Sequence, residues 1–178
     1  MTRYVLLLRG INVGGAGKLP MVSLRDLLSG IGCLHVATYI QSGNAVFAAD
    51  LPREELVGSI QDAIEAAHGF RPYCLLLTEG ELAAALTANP WPEAEGDEKP
   101  MHLIFHDGSA KADTAALEAL LAADEQWKLT ETVLYFRAPQ GIGRSKFIEK
   151  LARYFKAQTT GRNLRSCEKL LAMVREIP

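Results

Sequence analysis

Three cysteines are all that this 178-residue chain contains, and Cys33, Cys74 and Cys167 lie far apart with no C-x-x-C pair. That scarcity excludes a disulfide framework and a zinc ribbon, and it suits a reducing compartment. Long apolar runs are missing too. The opening MTRYVLLLRG has only four consecutive apolar residues, too few for a secretory signal or a membrane span. A soluble, cytoplasmic protein with no membrane partner is expected. Aromatics make up only 7% of the chain. Tyr39 and Phe47 sit where a hairpin presents bases with stacking partners, yet the K/R-G-F/Y-G/A-F ribonucleoprotein motif is absent, so they read as core. No H-E-x-x-H pattern marks a metal site, and Ser42 lies in no G-x-S-x-G elbow. His102 and His106 are four residues apart, but in a strand that is about 13 Å, too far to share one ion. No metal and no cofactor are expected.

What is present is an ordinary globular composition, 48% hydrophobic and 22% charged, with a net charge of −2. The charge is unevenly spread: residues 1–46 carry +3, residues 47–136 carry −12 and residues 137–178 carry +7. Solvated helix faces account for such runs as readily as a partner does.

The hydrophobic pattern resolves into elements. Tyr4 to Arg9 is a short apolar run, as in a buried strand. After a glycine-rich loop, Pro20 opens a helix with Met21, Leu24, Leu27 and Leu28 at helical spacing, stopped by Gly30 and Gly32. Val36–Gln41 and Ala45–Phe47 flank Ser42-Gly43 as a hairpin. Pro52 opens a second helix with Leu56, Ile60, Ile64 and Ala67 in one stripe, ended by Gly69. Tyr73–Leu77 is a strand, and Thr78-x-x-Glu81 is a capping box. This β-α-β-β-α-β order is that of the ferredoxin-like unit. Trp91 to Pro100 reads as an acidic loop. Beyond it, Met101–Phe105 reads as a strand, Thr114–Ala123 as a helix, Gln126–Thr130 and Val133–Arg137 as a hairpin, and Ser145–Ala157 as a helix. The same order therefore recurs without a clear last strand, and Ser166–Ile177 forms a closing helix. The fold expected is α+β: two ferredoxin-like units at 1–90 and 100–178, with antiparallel sheets and helices on one face.

Two segments suit an anion. Arg9-Gly-Ile-Asn-Val-Gly-Gly-Ala-Gly-Lys18 joins a strand to a helix through glycines that can aim amides at a phosphate. It is not a Walker A loop. Asn12 stands where the first glycine belongs, and Leu19 replaces the hydroxyl that holds magnesium. Gln140-Gly-Ile-Gly-Arg-Ser-Lys146 likewise leads into a helix, where Arg144 and Lys146 oppose the macrodipole unless an anion joins them. Thr159 to Arg165 adds Arg162 and Asn163, and reads equally as a polar connector with Asn163 or Ser166 as helix cap. The candidate ligand residues are Arg9, Asn12, Gly14, Gly15, Gly17, Lys18, Arg144, Lys146, Arg162 and Asn163. In a ferredoxin-like unit the Gln41–Asn44 turn is expected at or near the opposite end of the sheet from the glycine loop. It is read as structural, with Gly43 at positive φ and Asn44 bonding nearby backbone.

The segments LLLRGINVGGAGKLPMVSLRDLL and TYIQSGNAVF, then GIGRSKF, TTGRN and KLL, resemble the signature of an uncharacterised, mostly bacterial family, domain-of-unknown-function family 1697. The resemblance implies two ferredoxin-like halves in one body and brings no activity, cofactor or catalytic residue with it. Leu164 stands where the family's TxRN motif continues with an aromatic.

Three functions compete. One is a binding module for a phosphate-bearing, nucleotide-like or other anionic ligand, with the glycine-rich loop as its primary site and the Arg144–Lys146 and Arg162–Asn163 segments as its basic partners. The second is a structural or oligomer-forming protein, a homodimer for instance, with no ligand. The third is an enzyme acting on a small anionic metabolite, for which no matched acid and base is visible. The acidic middle favours a small ligand over nucleic acid.

Overall fold

The computed structural model describes residues 1–92, 101–108 and 111–178. Of the acidic loop expected at Trp91–Pro100, residues 93–100 lie outside the described residues. The chain divides into two compact units, one of Met1–Ala84 with Glu168–Pro178 and one of Ala85–Cys167.

In the first unit the order is β1 (Thr2–Arg9), α1 (Met21–Gly30), β2 (Leu34–Tyr39), β3 (Asn44–Ala49), α2 (Arg53–His68), β4 (Tyr73–Thr78) and the start of α3 (Glu79–Thr87). The strands form a sheet of order β2-β3-β1-β4, antiparallel at every pairing. That is the ferredoxin-like circuit the hydrophobic pattern predicts. Side chains alternate across a strand, and Tyr4, Leu6, Leu8, Ala45, Phe47 and Ala49 pack with Leu24, Leu28, Leu56, Ile60 and Ile64 of the two helices. The intervening Val5, Leu7, Val46 and Ala48 are buried as well. Burial on both faces is why β1 is a continuous apolar run and not an alternating one.

Local chemistry sets the helix ends. Both α1 and α2 begin after a proline, Pro20 and Pro52, at φ −63° and −56°. Gly69 closes α2 in the left-handed region at φ 74°. The expected capping box forms: Glu81 Oε2 accepts from the Thr78 N–H at 2.7 Å, and Thr78 Oγ1 accepts from the Glu81 N–H at 3.2 Å.

In the second unit, β5 (Met101–His106), β6 (Lys111–Ala112), α4 (Thr114–Glu118), β7 (Gln126–Leu129) and β8 (Val133–Arg137) come first. They are followed by α5 (Lys146–Tyr154), β9 (Phe155–Lys156), β10 (Thr159–Asn163) and the start of α6 (Leu164–Arg175). The last strand missing from the sequence reading is β10, which pairs antiparallel with β5 from Thr159↔His106 to Asn163↔His102. Its sequence, TTGRN, has no large apolar residue, and it lies at the edge of the sheet, where polar residues deter further pairing. The sheet order is β10-β5-β8-β7, the circuit of the first unit repeated. On its helical face Ile104, Leu134 and Phe136 pack with Leu117, Phe147, Leu151 and Phe155, and Phe136 stacks on Phe147 at 4.7 Å.

Two helices of this half, α4 and α5, depart from their expected limits. α4 is shorter than Thr114–Ala123, and Asp113 caps it by accepting from the Ala116 N–H. Ser145 is the cap of α5, not its first residue. α5 also gives way at Phe155 to β9, which pairs with β6.

Candidate functional site

The glycine-rich loop leaves β1 at Arg9 and closes on itself. Val13 and Ala16 bridge, the Ala16 N–H donates to Val13 O at 3.1 Å, and Gly14 and Gly15 between them have φ of 59° and 83°. Two successive positive φ values make this a tight hairpin turn of the I′ kind. Gly17 serves a different purpose: a Cβ there would lie 2.7 Å from Gly10 O, so the two arms of the loop meet backbone to backbone.

Asn12 holds the loop closed. Its Nδ2 donates to Leu19 O and to Gln41 O, both at 2.9 Å, and its Oδ1 accepts from the Leu19 N–H at 2.9 Å. Every hydrogen of that amide is engaged inside the fold. Arg9 and Lys18 flank the loop, exposed.

The bond to Gln41 also corrects the expected placement of the Gln41–Asn44 turn. The loop and the turn sit at the same end of the sheet. The antiparallel register Leu7↔Asn44 puts the exit of β1 beside the start of β3, the Leu8 N–H donates to Gly43 O, and a Cβ on Gly43 would meet Ile11 Cδ1 at 2.6 Å. The structural reading of the turn itself matches what is seen. Gly43 has φ 78°, and buried Asn44 donates to Tyr39 O at 3.1 Å and to Ser42 Oγ at 3.0 Å.

The same end of the first unit carries a pair that no sequence spacing indicates. Ser23 Oγ, in the first turn of α1, is 2.7 Å from Nε2 of His68, the last residue of α2. The two are 45 positions apart in the chain, and no local motif joins them.

In the second unit, a cleft of about 450 Å³ lies between the residues that follow α4 and the start of α5. Arg144, Lys146 and Lys150 line it on one side, and Leu120, Leu121 and Ala122 on the other. The three cations are exposed. Ser145, buried at the head of α5, accepts from the Ile148 N–H at 3.2 Å. The one carboxylate on the wall is Glu125, and its Oε2 accepts from the Ala122 N–H at 3.0 Å. Lys150 was not singled out from the sequence, although its i+4 spacing from Lys146 puts both on one helix face.

Arg162 and Asn163 are placed otherwise. Arg162 pairs with Leu103 and Gly161 with Ile104. Since Ile104 faces α5, Arg162 projects from the opposite face of its sheet. Its Nη1 donates to Thr160 Oγ1 at 2.9 Å and to Gly161 O at 2.8 Å. Burial pushes the guanidinium down to about 10, against an opposing contribution from Cys167, and leaves it charged at neutral pH. Asn163 caps α6, its Oδ1 accepting from the Ser166 N–H at 2.8 Å. Leu164 is buried at 2% exposure as a core residue.

His106 and the cysteines make their contacts inside the fold. His106 Nδ1 accepts from the Gly108 N–H, and its Nε2 is 3.2 Å from Thr130 O. All three cysteines are buried, and none forms a disulfide. Burial pushes the Cys33 thiol up to about 11 and the Cys74 thiol up to about 12, so neither is a nucleophile at neutral pH. No helix among the described residues is long and apolar enough to cross a membrane.

No curated protein sequence matches the chain. A solved structure described as that of the conserved bacterial protein SP0830 from Streptococcus pneumoniae is similar to it over 97% of this chain and 98% of that one, with 28% identity and a TM-score of 0.73. A family model described as a protein of unknown function, DUF1697, matches residues 1–135. The repeated ferredoxin-like circuit and the glycine-loop motif thus come with a match over most of the chain, and the chain belongs to the DUF1697 family.

Proposed function

We propose that this protein is a binding module for a phosphate-bearing or other anionic, nucleotide-like small molecule. The observation that carries the reading is the cleft of the second unit, where Arg144, Lys146 and Lys150 line one wall. Among the described residues none of the three has an ion-pair partner. Like charges gathered in a concave surface repel one another, and an anion relieves that repulsion. Arg144 and Lys146 also stand at the N-terminal end of α5, where cations oppose the macrodipole until a negative charge sits between them and the free amides. The apolar side of the cleft, Leu120 and Leu121, suits the non-ionic part of such a molecule. Arg9 and Lys18 at the glycine loop supply a second cationic segment in the first unit. The three buried thiols suit a reducing, cytoplasmic setting.

Thermal shift with inorganic phosphate, pyrophosphate and adenosine monophosphate tests the reading. A ligand at about 100 times its Kd stabilises by roughly 2.7 kcal/mol, and the melting temperature rises accordingly. The double variant Lys146→Ala, Lys150→Ala is expected to lose that rise while melting like the wild type without ligand. Lys18→Ala reports separately on the glycine loop. If none of the three anions raises the melting temperature, or if the double variant responds as the wild type does, the reading is wrong.

A further inference from the structure

The β1 end of the first unit brings opposite helix ends together. α1 begins there because it follows the loop that leaves β1. α2 ends there because it precedes β4, whose first residue pairs with Arg9. Ser23 thus stands at the positive end of one helix macrodipole and His68 at the negative end of another, with Oγ and Nε2 2.7 Å apart. The α1 cap is Pro20, which offers no side-chain acceptor, and among the described residues no side chain claims the first-turn N–H groups. Both Ser23 and His68 are half-buried, and the adjacent Val22 is 60% exposed. The Phe70 ring lies 6.4 Å from the His68 ring and flanks it.

We propose that Ser23 and His68 are a nucleophile–base pair that cleaves small carboxylic esters. Ser23 Oγ attacks the ester carbonyl carbon as His68 Nε2 takes its proton, which requires the ring to carry its own hydrogen on Nδ1. The carbonyl oxygen becomes an oxyanion beside the first-turn amides of α1, where negative charge is stabilised. The imidazolium forms at the C-terminal end of α2, where positive charge is stabilised. That helix end takes the part a buried carboxylate plays in a catalytic triad. The tetrahedral species collapses, the bond to the alcohol oxygen breaks, and the alcohol leaves with the proton from His68. Water then attacks the acyl-serine carbonyl while His68 takes its proton. The carboxylic acid departs and the proton returns to Ser23 Oγ, so one ester and one water give one acid and one alcohol.

The test is independent of anion binding. The intact protein is incubated with an alkyl fluorophosphonate, whose phosphorus a reactive serine attacks with loss of fluoride, and the adduct is mapped by mass spectrometry. Hydrolysis of p-nitrophenyl acetate is followed in parallel. The expected result is a single adduct on Ser23, absent in Ser23→Ala and slowed roughly 100-fold in His68→Ala, the usual worth of a positioned base. Acetate-ester turnover should fall in the same two variants. Alanine is a better helix former than serine, and the circular dichroism of Ser23→Ala checks that it folds. An unlabelled Ser23, labelling unchanged in His68→Ala, or ester turnover unchanged in folded Ser23→Ala each overturns the proposal. The 2.7 Å contact would then be a helix-to-helix hydrogen bond only.

Discussion

Replacing Asn12 by alanine removes the clamp that shapes the glycine-rich loop, and its cost follows from three hydrogen bonds and one backbone angle. Two of the bonds go to the N–H and C=O of Leu19, a residue with 0% exposure, and the third goes to Gln41 O. Intramolecular hydrogen bonds are each worth about 0.5–1.5 kcal/mol net. Because the Asn12 side chain is itself exposed, the lower part of that range applies, about 2 kcal/mol for the three. Asn12 also holds φ 54°, a left-handed conformation that asparagine tolerates and alanine resists by about 1 kcal/mol. The expected loss is about 3 kcal/mol, or a fall in melting temperature of roughly 6–12 °C for a protein of this size. Both tryptophans, Trp91 and Trp127, belong to the second unit, so urea unfolding is best followed by far-ultraviolet circular dichroism, which reports on both units. Asn12→Gly removes the same bonds without the backbone penalty and should be milder by about 1 kcal/mol. A loss below about 1 kcal/mol in Asn12→Ala, or no difference between the two variants, would refute the clamp.

Gly17→Ala forces a Cβ to 2.7 Å from Gly10 O at φ 60° and should destabilise by about 2 kcal/mol. The control Gly30→Ala, in a helix with nothing within 4 Å, should be neutral or stabilising, and equal melting temperatures for the two would contradict the close approach. Burial holds the His102 imidazole below its ordinary value, so the unfolded chain binds that proton more tightly than the folded one. Stability from this residue is complete above the ordinary histidine value near 6.5 and is lost as pH falls from there through the lower folded value. His102→Phe should flatten the melting-temperature profile between about pH 7 and pH 5; an unchanged slope would count against it.

Wherever burial imposes a period on the side chains, the sequence was legible. Leu56, Ile60 and Ile64 line the buried face of α2, as their spacing predicts, and the Thr78–Glu81 box closes as its residue types require. Misreadings fall where the partner, not the segment, decides. Residues Thr159–Asn163 become a strand because β5 offers an open edge, a fact about β5 that TTGRN does not carry. α5 ends at Tyr154 because Phe155 and Lys156 pair with β6, a contact with a segment more than forty positions earlier. The candidate site divides in the same way. Arg144 and Lys146 were legible as cations out of place at a helix start, whereas the alternation that sends Arg162 to the far face of its sheet follows only from its register with β5.

By itself the sequence determined the first ferredoxin-like circuit and all but the last strand of the second, because strand and helix periods, caps and turn glycines are local and each residue's neighbours along the chain suffice to express them. Tertiary structure alone decided which distant side chains meet. Antiparallel β1 and β3 carry the glycine loop to the Gln41–Asn44 turn, where Asn12 ties them. α1 and α2, running opposite ways over one sheet, set Ser23 against His68 across 45 positions. The residues that follow α4 face the start of α5 and close a cleft against the three cations there. Pairing and packing juxtapose residues without regard to their separation along the chain.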